Sequence, residues 1–563
     1  MLRSSLFICL IFSTAFAFGQ NKDTGKITDS LDYLPGSIGA GRLKWNVLHY
    51  DLTIEPNLIE KTINGTNIMT ISDTGASLIQ IDLIKPMMMD SVFVDNIKID
   101  FDQDNKACWI NVKKEWINKK TVPVIRKLRL YFHGKPPVAV NPPWNGGWVW
   151  KKDQQNNPWV SVACQGDGAS IWFPCKDAQF DEPDNGCVLR IIVPDSLMGI
   201  GNGRLKQQQQ MSGKRVMYSW EVKSPINSYN IIPYIGKYVH FGETYQGLKG
   251  KLNLDYWVLT DHLKKAATQF KEVPRMLKAF EFWMGPYPFY KDGYKLIEAP
   301  YLGMEHQSNI AYGNGFQNGY MGRDLSHTGQ GLKWDFIIVH ESGHEWFGNN
   351  ITAKDMADNW IHEGFTDYSE TLFMDYYFGK DSANQYLIGL QDNIQNDKPI
   401  IGNYGIREEG SSDMYYKGAA LLHMIRQLIN NDSLFRTVLI GLNKTFYHQT
   451  VRSAEVEKYI IKKSGKKLEK IFDQYLRTAD VPELICEFGY NQLNYRWHHT
   501  VQGFDMPVKV MIDGNQPIWI YPEETTKTIE VGRNENHSIE RDKNFYFRIT
   551  NATPRNPTDG LRP

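Results

Sequence analysis

Cysteine is scarce, six residues in 563, and no two form a Cys-x-x-Cys pair, so neither a cysteine zinc site nor a dithiol redox motif is expected. Past Cys9 the remaining five are Cys108, Cys164, Cys175, Cys187 and Cys486. The odd count leaves at least one unpaired, and the spacing does not say which. Neither sign of charge is in excess: Lys plus Arg is 63 and Asp plus Glu is 63. That balance gives no reason to expect nucleic acid or a polyanionic surface as partner. Internal repeats and low-complexity segments are lacking too. After the first twenty residues no uninterrupted apolar run reaches the ~18 that suggest a spanning helix, so a soluble mature chain is expected. The opening "MLRSSLFICLIFSTAFAFGQ" is the exception. One Arg, an apolar run from Leu6 to Phe18 and a small, polar end form the pattern of a secretory signal peptide over residues 1–20. Cys9 lies inside the apolar run rather than after it, which argues against a lipoprotein box. The expected location is therefore outside the cytoplasm, periplasmic or secreted.

A chain of 563 residues is too long for a single core. Residues 21–257 carry "WNVLHYDLTI", "SLIQIDLI", "SVFVDNIKID" and "KLRLYFHG", a two-residue alternation broken by turn residues, which predicts a β-rich N-terminal domain. Five tryptophans fall between Trp144 and Trp172; they pack under a long loop or wall a ligand cleft. From 258 to 480 the period becomes helical, and three of the segments end at Gly. Residues 481–563 return to alternation in "PVKVMID", "PIWIYP", "KTIEVG" and "NFYFRIT", a small C-terminal β-sandwich. The fold class is α+β and multidomain.

Within the helical region stands "WDFIIVHESGHEWFGNN". Residues four apart share a helix face, so His340 and His344 can bind one metal ion. Glu341 sits about 100° round the helix, beside the metal, where a general base acting on activated water belongs. Chance supplies His-Glu-x-x-His on the order of 0.02 times in such a chain. After eighteen intervening residues comes Glu363, on the next predicted helix and able to complete three protein ligands. One Zn2+ per chain is the expected cofactor. Glu370, two turns beyond Glu363, can hydrogen-bond a liganding histidine; His362 points off the metal face.

This pattern resembles the gluzincin aminopeptidases, the family of aminopeptidase N and leukotriene hydrolase. "HEWFGNNIT", "EGFTDY", "YDLTIEP" and "FDQYLRTADVP" add to the resemblance, which runs from about residue 45 to residue 550. It implies a β-saddle N-terminal domain, a thermolysin-like catalytic domain and a small β-sandwich, without room for the large helical C-terminal domain of many members. "LGMEHQS" is similar to the family's amine-binding Gly-x-Met-Glu-Asn loop. Gly303, Met304 and Glu305 lie in it, while Leu302 replaces the first Gly and His306 the Asn. By this resemblance Glu305 grips the substrate's free amine and Met304 lines the first-residue pocket. "DMYYKGAALL" places Tyr415 at the tyrosine of the family's Tyr-x-Lys-Gly, where a phenol stabilises the oxyanion. "SVACQGDGASIWFPCKDAQFDEP" resembles the segment around a substrate-binding glutamine, here Gln165.

The resemblance implies an exported zinc aminopeptidase that acts on peptides with a free N-terminal amine. A thermolysin-type endopeptidase would share the zinc chemistry, and only Glu305 argues against it. Hydrolysis of a lipid epoxide has no specific support. A zinc-stabilised peptide-binding protein without turnover would have no need to keep Glu341, Glu305 and Tyr415 together. The preferred N-terminal residue and the oligomeric state are not encoded in any short segment.

Overall fold

Strand Trp45–Asn57 buries alternate side chains, with one change of phase at a bulge between Val47 and His49. It sits in the middle of an eight-stranded sheet. The order is Arg204–Met211, Arg215–Val222, Cys187–Pro194, Trp45–Asn57, Thr62–Asp73, Val124–Gly134, Met88–Val94 and Ile97–Ile99. Only the pair Trp45–Asn57 and Cys187–Pro194 is parallel. The computed structural model describes residues 36–37, 39–112, 123–533 and 536–551. The expected signal segment, residues 1–20, and the C-terminal stretch 553–563 lie outside them.

Two of the five tryptophans between Trp144 and Trp172 pack as core, whereas Trp144 is exposed. Trp148 and Trp172 are fully buried, with ring centroids 5.7 Å apart, and Trp148 stacks on Trp150 at 5.0 Å. The five cysteines Cys108, Cys164, Cys175, Cys187 and Cys486 are buried and unpaired. Burial pushes every one of these thiols up, Cys486 to about 12, so they stay protonated.

The change of period near residue 258 does not coincide with a change of sheet. The hairpin Tyr238–Gly247 and Gly250–Leu259 pairs onward with Tyr294–Glu298, Ile310–Tyr312 and Gly303–Met304 in a five-stranded sheet. Alternation identifies a strand, but its sheet is chosen by partners 35 or more residues away. Beyond this sheet lie the helices α1 (Phe336–Gly343), α2 (Trp360–Phe378) and α3 (Tyr416–Ile429). Helix α2 buries every residue from Trp360 to Met374, the mark of a helix wrapped on all sides. Two sheets close the chain, one of four strands and one of three, within residues 483–551. Their apolar side chains join the same buried cluster as the helices, so the C-terminal sheets and the helical region share one core. No helix among the described residues is long and apolar enough to cross a membrane.

Helices α2 and α3 meet through glycine. A Cβ on Gly418 would stand 3.0 Å from Gly364 Cα, and one on Gly364 would stand 3.0 Å from Met414 O. This close approach sets the start of α3 against the first turn of α2. Replacing Gly418→Val should therefore destabilise the chain by about 1–3 kcal/mol through overpacking, outweighing the roughly 1 kcal/mol or less gained in helix propensity. Denaturant unfolding with an unchanged midpoint would contradict the close-packed crossing.

The N-terminal and helical regions are also joined by a buried hydrogen bond, Thr352 Oγ1 donating to Glu182 Oε1 at 2.7 Å. Burial pushes the Glu182 carboxyl up to about 8, against the Thr352 bond. Its folded value exceeds the unfolded one near 4.5, so its contribution to stability is full below that pH and is lost as pH rises through about 8. Glu182→Gln should thus gain stability relative to the parent chain between pH ~5 and ~8, by more than ~1 kcal/mol. Parallel melting curves across that range would refute this.

Candidate active site

Helix α1 is started by Asp335. Its Oδ1 accepts from Ile338 N at 3.3 Å, and its Oδ2 from Tyr312 and Gln269 at 2.8 Å each. The helix stops at Gly343, but His344 keeps helical dihedrals, φ −61° and ψ −20°. The two imidazoles therefore stay on one face, with ring centroids 5.1 Å apart. Helix α2 presents Glu363 to them from its first turn. Glu363 Oε2 lies 3.3 Å from His344 Nε2 and 3.7 Å from His340 Nε2.

These three atoms fit a zinc ion. Tetrahedral ligands at about 2.0–2.2 Å from a metal stand roughly 3.3–3.6 Å from one another, close to the spacing found. Glu363 Oε2 is buried and aligned with no hydrogen-bond donor, so its lone pairs are free for a cation. Each imidazole is fixed through its other nitrogen. His340 Nδ1 lies 2.6 Å from Glu370 Oε1, whose partner oxygen accepts from Tyr386 at 2.6 Å. His344 Nδ1 lies 3.1 Å from Phe347 O. Such outer contacts orient Nε2 toward a metal. Burial works to raise the Glu363 carboxyl, but His344 and His340 overturn this and hold it well below the usual carboxylate range. His362 is no part of the group: its Nε2 accepts from Ala353 N at 2.7 Å.

Glu341, Glu305 and His344 also bring one donor atom each to within 4.8 Å of one another. Burial pushes the Glu341 carboxyl up to about 7, against both histidines. Gly303 explains itself here: a Cβ on it would stand 2.5 Å from Glu341 Oε1, so the edge strand Gly303–Met304 can press on the carboxylate only through glycine. Glu305 is buried, and burial raises its carboxyl while His344 opposes. Its Oε1 accepts from Gln165 Nε2 at 2.7 Å and from Tyr229 at 3.0 Å. Its carbonyl accepts from Asn349 Nδ2 at 2.7 Å. Gln165 and Tyr229 come from the N-terminal region, so the pocket lies where the two regions meet. Met304 is 6% exposed and packs into the N-terminal core. His306, which stands where the family motif has Asn, is fully buried, and its Nδ1 lies 2.6 Å from the Tyr234 hydroxyl. Burial pushes its imidazole down to about 3, so it is neutral.

Tyr415 precedes α3 and stacks on His340, with ring centroids 6.2 Å apart and planes inclined by 21°. Burial and then Glu363, Glu409, Glu305 and Glu341 raise its phenol, which places it before the same carboxylates. Tyr416 is raised by burial and then by Asp367 and Glu370, on the far side of His340. The structure thus gathers His340, His344, Glu363, Glu341, Glu305, Gln165, Gly303 and Tyr415 in one pocket. The contacts of Tyr229 and Asn349 with Glu305 were not legible: Asn349 lies in the quoted "HEWFGNNIT" and Tyr229 in no quoted motif, and they reach Glu305 across 44 and 76 residues.

Residues 270–475 match the Peptidase family M1 domain. Leukotriene A-4 hydrolase of Xenopus laevis is 24% identical over 351 residues, 57% of this chain and 53% of that protein. Aminopeptidase N of Lactobacillus helveticus is 22% identical over 567 residues, 91% of this chain and 63% of that protein. The chain thus spans about half to two thirds of the length of these two relatives. Among solved structures, a mutant M1 zinc metallopeptidase of Deinococcus radiodurans bound to a Tyr-Ser-Ala substrate superposes with a TM-score of 0.65 at 19% identity, covering 78% of this chain and 95% of that one. The fold is thus that of the solved M1 zinc metallopeptidases, and the match to the Peptidase family M1 domain falls on residues 270–475, the region that holds the histidine pair and Glu363.

Proposed function

We propose that the chain is an exported zinc aminopeptidase that removes the N-terminal residue from peptides with a free amine. One observation carries this reading. Glu305 is a buried carboxylate fixed by Gln165 and Tyr229, with an oxygen within 4.8 Å of donor atoms of Glu341 and His344. A carboxylate so placed answers an α-ammonium. Its closeness to His344 and Glu341 would limit how many residues fit ahead of the scissile bond.

One zinc held by His340, His344 and Glu363 would supply a Lewis acid that polarises the carbonyl and lowers the pKa of water. Glu341 takes the proton from the attacking water and delivers it to the leaving amine. Tyr415, a neutral phenol, donates a hydrogen bond to the developing oxyanion. Gln165 and Tyr229 orient Glu305, and Gly303 lets the edge strand lie against Glu341. The tripeptide carried by the Deinococcus radiodurans relative is of the substrate class expected here. Export rests on the pattern of residues 1–20.

The zinc-loaded chain should release the first residue from short peptides. Glu341→Gln should keep its zinc and lose at least ~10² in kcat, and Tyr415→Phe ~10²–10³ with little change in KM. Tyr416→Phe should stay within severalfold of the parent. Steady-state kinetics with metal analysis decide this; a zinc-replete chain that hydrolyses no peptide would overturn the reading.

A further inference from the structure

Among the described residues, one His/Glu group shares no member with the buried site: Glu483, His498 and His499, whose donor atoms lie within 4.8 Å of one another. Glu483 opens strand Glu483–Phe488, directly opposite His498 in the antiparallel strand Gln492–His498. Alternation along that strand would send His499 to the other face. Instead His499 adopts φ +52°, in the left-handed region. The two rings come to one side, with centroids 4.0 Å apart. The turn is held from the helical region, where Gln474 Oε1 accepts from Val501 N at 2.7 Å and Gln474 Nε2 donates to His499 O at 3.4 Å.

Glu483 is held from behind by a hydrogen bond that Thr550 donates to its Oε1. Its Oε2 faces both imidazoles, 3.0 Å from His498 Nδ1 and 3.7 Å from His499 Nε2. Other surface His–carboxylate contacts, such as His133–Asp90 and His240–Asp255, pair one ring with one carboxylate. Here one carboxylate oxygen is shared by two rings, which a simple ion pair does not need and a shared cation does.

We propose that Glu483, His498 and His499 form a second metal site, open to solvent, for a borderline divalent cation such as Zn2+ or Ni2+. Two imidazole nitrogens and one carboxylate oxygen favour these ions over Mg2+ or Ca2+. It repeats the donor set of His340, His344 and Glu363 without the enclosure. The side chains of His498 and His499 are 46% and 61% exposed, whereas both buried rings are fixed through Nδ1. Each such outer contact is worth about 10–100-fold in metal affinity, so the surface site should bind at least ~100-fold more weakly.

The test is a zinc titration of the full chain, followed by calorimetry and by metal analysis after equilibrium dialysis. The parent should take up a second, weaker equivalent and melt at a higher temperature as that equivalent binds. The double variant His498→Ala/His499→Ala should stop at one equivalent, and Glu483→Gln should weaken the second at least tenfold. Glu363→Gln, which damages the buried triad, should keep the weaker equivalent, so failure at one site is told apart from failure at the other. Uptake that ends at one equivalent in the parent at millimolar zinc, or a second equivalent that survives in the double variant, overturns the proposal.

Discussion

Negative charge buried around two imidazoles is the constraint on which the rest of this molecule turns. Glu305, Glu341, Glu363 and Glu370 are each 8% exposed or less, and all belong to one pocket. Isolated carboxylates at such depth would give up their charge. Burial pushes Glu341 up to about 7, while the other three are either answered by hydrogen bonds or aimed at a place where a cation belongs. Glu370 is taken by His340 and Tyr386, and Glu305 by Gln165 and Tyr229. Glu363 Oε2 is left without a donor between the two histidines. In our reading a divalent cation there, and an incoming ammonium beside Glu305, complete the balance.

The scaffold follows from that demand. Helix α2 is buried on all sides because its first and third turns deliver Glu363 and Glu370 into the interior. The glycine contact between Gly364 and Gly418 brings the start of α3 close enough for Tyr415 to stack on His340. Gly303 does the same for the sheet edge, letting it touch Glu341. The N-terminal region contributes more than bulk, since two of its side chains fix the oxygen of Glu305.

Much of the metal group was legible because it is local. His340 and His344 share a helix face through four-residue spacing, and Glu363 follows at a readable distance on the next helix. The resemblance supplied Glu305, Tyr415 and Gln165, and the structure brings all three to the pocket. What could not be read depends on the meeting of distant segments. Tyr229 and Asn349 reach Glu305 from 76 and 44 positions away. The hairpin ending at Leu259 alternates like the strands before it, yet it pairs with strands beyond residue 290. The glycines Gly303, Gly364 and Gly418 read only as motif letters until their neighbours were seen, because a close approach leaves no periodic trace.

The central claim is that Glu305 reads a free amine and so makes the zinc chemistry act on one residue at a time. It is tested most directly by a matched pair of short peptides, one with a free amine and one N-acetylated, given to the zinc-loaded chain and to Glu305→Gln. The account predicts cleavage of the free form alone by the parent, and loss of that preference together with most of the rate in Glu305→Gln. Equal cleavage of both forms by the parent would contradict it and would assign the same metal chemistry to an endopeptidase.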